Sequence, residues 1–384
     1  MEIKSYSMNW HYPTAVRVGA GRISELPKAC RQLGMTSPLL VTDPGLAALL
    51  MVEASLQLCR DAGLQAGLFS GVKGNPTGGN VADGVAALKA GQHDGVIAFG
   101  GGSAIDAAKA IALVAHQECT LWEAGPGTVD ASKMLPVVAV PTTAGTGSEV
   151  GQAVVITDDE SHVKRVIFHQ KMVPAIVILD PELTVGLPAK LTAATGMDAL
   201  AHNLEAFCAP VYHPMAEGIA LEGMRLVKDF LPRATKQGDD IDARLQMQVA
   251  SSMGAVAFQR GLGGIHAVSH SLGAVYDAHH GLLNAIVMPY MLQANRPVIE
   301  DEMARAARYL DLPKQNFDGM LDWVLDLRAE LGIPHTLADI NIDDAQAETI
   351  GAMSAKDVAG KTNPQRYDAA QYQAIFLKAL RGEL

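Results

Sequence analysis

Short apolar runs alternate with helically spaced stretches through the first half of the chain. Ser37 to Thr42 has the pattern of a strand that stops at Asp43-Pro44-Gly45, and Leu46 to Ala62 then carries apolar residues at helical spacing. Ala66 to Phe69 is a weaker strand. Asn75-Pro76-Thr77 follows, with a helix expected to run to about Gly91. Gly95 to Phe99 is a buried-strand run leading into Gly100-Gly101-Gly102-Ser103, and a strong helix is expected from Ala104 to Ala115. Leu135 to Val140 is another apolar run, ended by Pro141. Strands separated by helices at this spacing predict a parallel sheet covered on both faces.

The second half has a different period. Leu191 to Phe207, Met215 to Phe230, Ile241 to Phe258 and Val298 to Leu310 all suit helices, and β-branched runs nearly vanish. The change falls near Gly186-Leu187-Pro188. It divides the chain into an α/β region, residues 1–187, and an all-α region, residues 188–384. No internal repeat or low-complexity tract interrupts either.

Composition narrows the function. In 384 residues, 30 Lys and Arg stand against 41 Asp and Glu, a net charge of -11. That balance argues against a nucleic-acid or anionic-membrane partner, each of which needs clustered cations. Apolar residues make up 49% and charged residues 18%, which excludes a disordered chain. No apolar run of 18 residues spans a bilayer, and the opening MEIKSYSMNWHYPT lacks the apolar segment of a signal peptide. Cys30, Cys59, Cys119 and Cys208 form no C-x-x-C, so reduced, mostly buried thiols in a cytoplasmic protein are expected.

The glycine turn between strand and helix lets backbone approach a phosphate, and a helix N-terminus adds free N–H groups. Ser103 is expected to cap this helix, with Asp106 at its third position. The G-x-G-x-x-G fingerprint is absent, so a tight turn with an ordinary cap explains the run as well. A second loop of small and hydroxyl residues, Pro141 to Glu149, follows another strand. Two such loops at strand ends reinforce each other, because ligands of open parallel sheets bind there. Asp43, at an earlier strand end, can accept from a ribose 2′-hydroxyl and repel a 2′-phosphate, favouring NAD over NADP. Its ordinary reading is a turn-forming Asp before Pro44.

Histidines cluster in the second half. His202 stands four residues after Asp198, and His266 and His270 repeat that spacing, with His279 and His280 close behind. Residues i and i+4 share a helix face. One carboxylate and up to four imidazoles from three segments suit Fe(II) or Zn(II) and are too nitrogen-rich for calcium or magnesium. Periodicity leaves open which of His266, His270, His279 and His280 ligate. Four protein ligands leave room for a substrate oxygen.

These residues carry a resemblance. The run GGGS-x-x-D-x-x-K at Gly100 to Lys109, PTTAGTGSE at Pro141 to Glu149, Asp180-Pro181, GMDALAH at Gly196 to His202, HAVSHSLGA at His266 to Ala274 and HHGLLNA at His279 to Ala285 occur in order. Over essentially the whole chain they resemble the iron-containing (group III) alcohol dehydrogenase family. The resemblance implies an N-terminal dinucleotide-binding α/β domain with a parallel sheet and an all-helical metal-binding domain, the dehydroquinate synthase-like fold, with the active site in the cleft between them. It makes Asp198, His202, His266 and His280 the metal ligands. It puts His270 beside the substrate or nicotinamide, either relaying a proton or orienting a neighbour. It makes Asp43, Asn75, Gly101, Gly102, Ser103, Thr142, Thr143 and Lys164 contacts of NAD, and gives His279 no role. The implied activity is reversible hydride transfer between a small alcohol, diol or hydroxy acid and NAD, in a homodimer or larger homo-oligomer. An NAD-using lyase of the dehydroquinate synthase type and a hydroxyacid–oxoacid transhydrogenase are the alternatives.

Two segments depart from the family pattern, Phe258 to Ile265 and Val150-Gly151-Gln152. Both are expected near the substrate. Arg260 is a candidate receiver for a substrate carboxylate, against the plainer reading of a solvated helix-end residue.

Overall fold

The computed structural model describes residues 12, 14–161 and 163–384; the opening segment read above for a signal peptide lies outside the described residues apart from Tyr12 and Thr14. The chain divides into two compact units, one of residues 12–143 and 147–186, the other of residues 144–146 and 187–384.

In the first unit, strands β1 (Ala15–Val18), β2 (Pro38–Val41), β3 (Gly67–Phe69), β4 (Gly95–Gly100), β5 (Val137–Pro141) and β8 (Ile176–Leu179) form one sheet in the order β1-β8-β5-β4-β2-β3. Every pairing is parallel. Helices α1 (Leu26–Gln32), α2 (Pro44–Ala47), α3 (Leu50–Asp61), α4 (Gly78–Ala90) and α5 (Gly102–Val114) connect the early strands. Strands β2, β4, β5 and β8 are buried along their whole length, which explains their unbroken apolar runs. Leu26, Cys30, Leu56 and Cys59 pack against Leu40, Ile97, Phe99 and Val138 in one core cluster. Helix α5 is buried from Ala104 to Leu113, and its alanines suit so crowded a position.

Three expectations shift here. The helix expected over 46–62 is two helices, broken at Ala48 and Leu49. The antiparallel hairpin of β6 (Ala153–Thr157) and β7 (Lys164–Phe168), like β1 and β8, has no counterpart in the sequence reading. Ser103 does not cap α5. Gly101 is the N-cap, no side chain caps the helix among the described residues, and Ser103 Oγ donates to the Gly74 carbonyl instead.

The second unit comprises α6 (Ala189–Cys208), α7 (Pro214–Lys236), α8 (Ile241–Ala257), α9 (Gly264–Tyr276), α10 (His280–Tyr309), α11 (Phe317–Glu330), α12 (Ala347–Lys356) and α13 (Ala369–Arg381). Its core draws on all of them, from Met197 and Leu200 to Phe376 and Leu380. Helix α10 departs most from expectation. It starts at His280 rather than Val298 and runs through Pro289 and Pro297. Each internal proline costs roughly 3 kcal/mol. Nearly continuous burial from Leu283 to Leu292, at roughly 2 kcal/mol for each large apolar side chain, offsets that cost. Among the described residues, no helix is long and apolar enough to cross a membrane.

Candidate metal centre and dinucleotide site

Parallel pairing puts the C-terminal ends of β2, β4 and β5 at one edge of their sheet. Gly100 pairs with Pro141 in register, and Thr142 N donates to the Gly100 carbonyl at 3.0 Å. The glycine turn and the second loop therefore lie side by side. A Cβ on Gly101 would sit 3.3 Å from Thr143 Oγ1 and Cγ2. Gly100 has φ 146°, and a Cβ there would meet the Ala104 Cβ at 2.7 Å, so this turn requires glycine. Asp43 N-caps α2, its Oδ1 accepting from Leu46 N at 2.9 Å; the turn-forming role is real and uses one of its two oxygens. Lys164 Nζ donates to Asn75 Oδ1 at 2.9 Å, joining two expected NAD contacts 89 residues apart.

The other charged members of the glycine motif are buried. Lys109 Nζ donates to the carbonyls of Ser148, Gly151 and Ala153 at 3.0, 2.9 and 2.8 Å. Asp106 Oδ2 accepts from Val155 N at 2.9 Å. Asp106 is the fifth residue of α5 rather than the third. Burial lowers the Lys109 pKa against the pull of Asp106 and Glu149, and burial raises that of Asp106. Together they tie hairpin and turn to the helix that follows the glycines.

The histidine cluster lies within the helical unit. Asp198 and His202 occupy one face of α6, His266 and His270 lie on α9, and His280 opens α10. His202 Nε2 and His266 Nε2 are 3.0 Å apart, and Asp198 Oδ1 is 3.7 Å from His266 Nε2. Ligand atoms of Asp198, His202 and His266 all lie within 4.8 Å of one another, and all three residues are buried. His280 stands beside this group, its Nε2 3.5 Å from Asp198 Oδ1. Gly281 permits the approach of α10 to α6, since a Cβ there would meet the Ala194 carbonyl at 2.4 Å and Asp198 Cβ at 3.2 Å.

Four bonds of ~2.1 Å in a tetrahedron separate ligand atoms by ~3.4 Å. The observed spacings bracket that value, and one carboxylate with imidazoles is a donor set for Zn(II) or Fe(II), so the residues fit the metal that the resemblance implies. Charge agrees. Burial alone would raise the Asp198 carboxyl, yet the imidazoles of His202, His280 and His266 hold it below the ordinary carboxylate range. Burial brings His202 down to about 4, leaving a neutral ring with a lone pair to offer. Burial also opposes a charge on His266, but Glu205 and Asp198 raise it to about 9. Ionised Asp198, with Glu205 behind His266, supplies the negative charge that a divalent cation would need.

Three further residues complete the surroundings and escaped the sequence reading. Glu205, one turn beyond His202 on α6, accepts from His266 Nδ1 at 2.6 Å. Asn284 Nδ2 donates to Asp198 Oδ1 at 2.7 Å and lies 3.1 Å from His280 Nε2. His270 Nδ1 donates to Asp357 Oδ2 at 3.1 Å, and Asp357 Oδ1 accepts from Ala359 N at 2.8 Å. Helical spacing from His202 and His280 is the signal that could have found Glu205 and Asn284. Nothing local pointed to Asp357, 87 residues from its partner. The ring of His270 stacks on His280 at 5.3 Å. His279 N-caps α10, with Nδ1 accepting from Leu282 N at 3.4 Å.

Arg260 corrects both of its readings. It is 3% exposed, so it is not a solvated helix-end residue. Its Nη1 donates to the carbonyls of Ala206 and Phe207 at 3.3 and 2.6 Å, its Nε to Val211 at 2.6 Å, and its Nη2 pairs with Glu217 at 2.9 Å. Buried, with these donors directed to Ala206 and Phe207 at the end of α6, to Val211 just beyond it and to Glu217, it has a structural role in place of a carboxylate receiver's.

Comparison with known proteins agrees with the sequence motifs. Residues 13–181 match the family described as iron-containing alcohol dehydrogenase, and residues 192–380 the C-terminal part of the Fe-containing alcohol dehydrogenase family. The chain is 39% identical to a 4-hydroxybutyrate dehydrogenase of Cupriavidus necator, over 96% of this chain and 99% of that one. A crystal structure of 1,3-propanediol oxidoreductase superposes with TM-score 0.94 at 34% identity, covering 97% of this chain and 100% of the other. A sulfoacetaldehyde reductase from Bifidobacterium kashiwanohense, solved in complex with NAD+, superposes with TM-score 0.87 at 27% identity, over 97% and 99% of the two chains. The chain belongs to the iron-containing alcohol dehydrogenase family and is an oxidoreductase acting on a CH–OH group.

Proposed function

We propose that the protein reversibly oxidises a small primary alcohol, diol or hydroxy acid to its aldehyde with NAD, using Fe(II) or Zn(II). The convergence of Asp198 Oδ1, His202 Nε2 and His266 Nε2, with His280 alongside, carries this reading. When bound, the metal supplies Lewis acidity that lowers the pKa of an alcohol hydroxyl, or polarises a carbonyl in reverse. Asp198, His202, His266 and His280 would hold it. Residues 188–384 serve as the metal-binding domain and residues 1–187, apart from 144–146 and 187, which belong to the helical unit, as the dinucleotide-binding domain. There the uncapped start of α5, at Gly101, Gly102 and Ser103, offers N–H groups to the pyrophosphate. Thr142, Thr143, Asn75 and Lys164 flank it. The second oxygen of Asp43 accepts from ribose hydroxyls and disfavours a 2′-phosphate. His270, held at Nδ1 by Asp357, moves the substrate proton at Nε2.

The substrate class is supported by the relatives. 4-Hydroxybutyrate, 1,3-propanediol and sulfoacetaldehyde each join a terminal alcohol or aldehyde carbon to a polar group a few atoms away. Cysteines that are all unpaired support a reducing, cytoplasmic location, and the family resemblance supports a homo-oligomer. The test reloads metal-stripped protein anaerobically with Fe(II) or Zn(II). Absorbance at 340 nm is then followed with NAD and a panel of alcohols, diols and hydroxy acids. Metal-dependent NADH formation is expected. A flat trace from protein that demonstrably binds both metal and NAD overturns the reading in favour of a lyase or transhydrogenase.

A further inference from the structure

We propose that Glu205 fixes the tautomer of His266 and so sets the affinity of the metal centre; this rests on the metal-site reading above. Glu205 is buried, and three donors converge on it. Oε1 accepts from Ile265 N at 2.6 Å, and Oε2 from Gly263 N at 2.9 Å and His266 Nδ1 at 2.6 Å. An ionised carboxylate is the one side-chain group of this shape that only accepts. When the His266 ring is neutral, as a metal ligand must be, its proton is thereby committed to Nδ1 and its lone pair to Nε2. Nε2 is the atom that faces Asp198 and His202.

The same carboxylate does a second job. Helix α9 begins at Gly264, and its leading N–H groups need acceptors from outside the helix. Glu205 supplies those for Gly263 and Ile265; Thr362 Oγ1 serves Leu262 N at 3.0 Å and Asn363 Oδ1 serves Gly264 N at 2.9 Å. Gly263 makes room, since a Cβ there would stand 2.8 Å from Glu205 Oε1. Glu205 alone among these caps also touches His266. Seated one turn from His202, it ties the helix of two ligands to the helix of a third. Glutamine keeps the volume but not the chemistry. Whichever way its amide is turned, the NH2 faces a backbone N–H, and in one orientation it faces His266 Nδ1 as well.

The experiment compares the wild-type chain with Glu205→Gln, Thr362→Val and Asp198→Asn. Zn(II) affinity is measured by competition with a chelator, the melting temperature is taken on metal-free protein, and 1H–15N spectra of the histidine rings are recorded on Zn-loaded wild type. E205Q is expected to weaken Zn(II) binding ~10- to 100-fold, the range for partners of metal-ligating histidines. T362V, which removes a cap without touching His266, is expected to lower the melting temperature and leave affinity within about threefold. The wild-type spectrum is expected to show a proton on Nδ1 of His266 and Zn on Nε2. The proposal is overturned if E205Q binds Zn(II) like wild type while melting as low as T362V, which would make Glu205 a helix cap only. It is equally overturned if His266 binds Zn(II) through Nδ1, a readout that does not depend on E205Q folding. Should the wild type not bind Zn(II), or D198N bind it unchanged, the metal-site reading itself fails. If D198N loses Zn(II) and E205Q keeps it, only the role of Glu205 fails.

Discussion

Two helices in this protein start after glycine-rich turns that look alike on paper, and they put their N-termini to opposite uses. Helix α5 follows Gly100-Gly101 and opens on Gly102, and no side chain caps it among the described residues. Helix α9 follows Gly261-Leu262-Gly263 and opens on Gly264, and Thr362, Glu205 and Asn363 accept from every N–H from Leu262 to Ile265. The first leaves its donors and positive dipole end without a side-chain acceptor, the arrangement on which the proposed phosphate site rests. The second gives them to its own fold, and a rigid start places His266 two residues later. A glycine turn before a helix therefore says only that backbone is closely approached. Whether a phosphate or a carboxylate makes the approach depends on what the rest of the chain brings there.

The largest break in this comparison should come from the centre that α9 serves. Asp198→Ala is expected to weaken metal binding by more than ~100-fold, beyond the cost of losing a partner one shell further out. Metal-dependent NADH formation should vanish while NAD binding, read by fluorescence, persists. Acidification should act in the same direction on the unaltered protein. In the metal-free protein Glu205 and Asp198 favour the doubly protonated His266 ring, raised to about 9, and metal binding displaces its Nε2 proton while Nδ1 keeps its own. Affinity should therefore fall by about tenfold per pH unit below that point; a flat profile in a titration from pH 9 to 7 would contradict it.

Next in size is the anchor of the other helix. Lys109→Met leaves Asp106 and Glu149 without their buried cation, at an expected cost of about 3–5 kcal/mol in chemical denaturation. The two helix starts can then be exchanged in character. Asn363→Ala uncaps α9 and should destabilise the protein by about 1–2 kcal/mol without changing NAD affinity. Gly101→Asp supplies α5 with a carboxylate cap. It should raise stability by up to ~1 kcal/mol and weaken NAD about threefold to tenfold, because its charge competes with the pyrophosphate. If NAD affinity is untouched by G101D, the start of α5 is not where the cofactor phosphates lie.

Much of this was legible before any coordinates. Buried strands β2, β4 and β5 announced themselves as apolar runs, and the i,i+4 pairs Asp198–His202 and His266–His270 as shared helix faces. Both are local periodicities that survive folding unchanged. Other features were misread for equally physical reasons. Prolines at 289 and 297 look like helix breaks, but burial of most of α10 outweighs two missing donors. Ser103 has the chemistry of a cap and lies two residues too far in, where the Gly74 carbonyl takes its hydroxyl. Arg260 looks like a surface cation, yet three carbonyls and Glu217 compensate its burial.

By itself the sequence determined the buried strands β2, β4 and β5 with the helices between them, the change from α/β to all-α, and a list of candidate groups for a metal and a dinucleotide. Those follow from the period of side chains along one element and from the chemistry of each residue. Tertiary structure alone decided which helix start stays open, that Lys164 meets Asn75, that Asp357 holds His270, and that Glu205 reaches from α6 to His266. Each depends on hydrogen bonds between segments tens of residues apart. Such bonds leave no periodic trace, because only packing brings their donors and acceptors within 3 Å of each other.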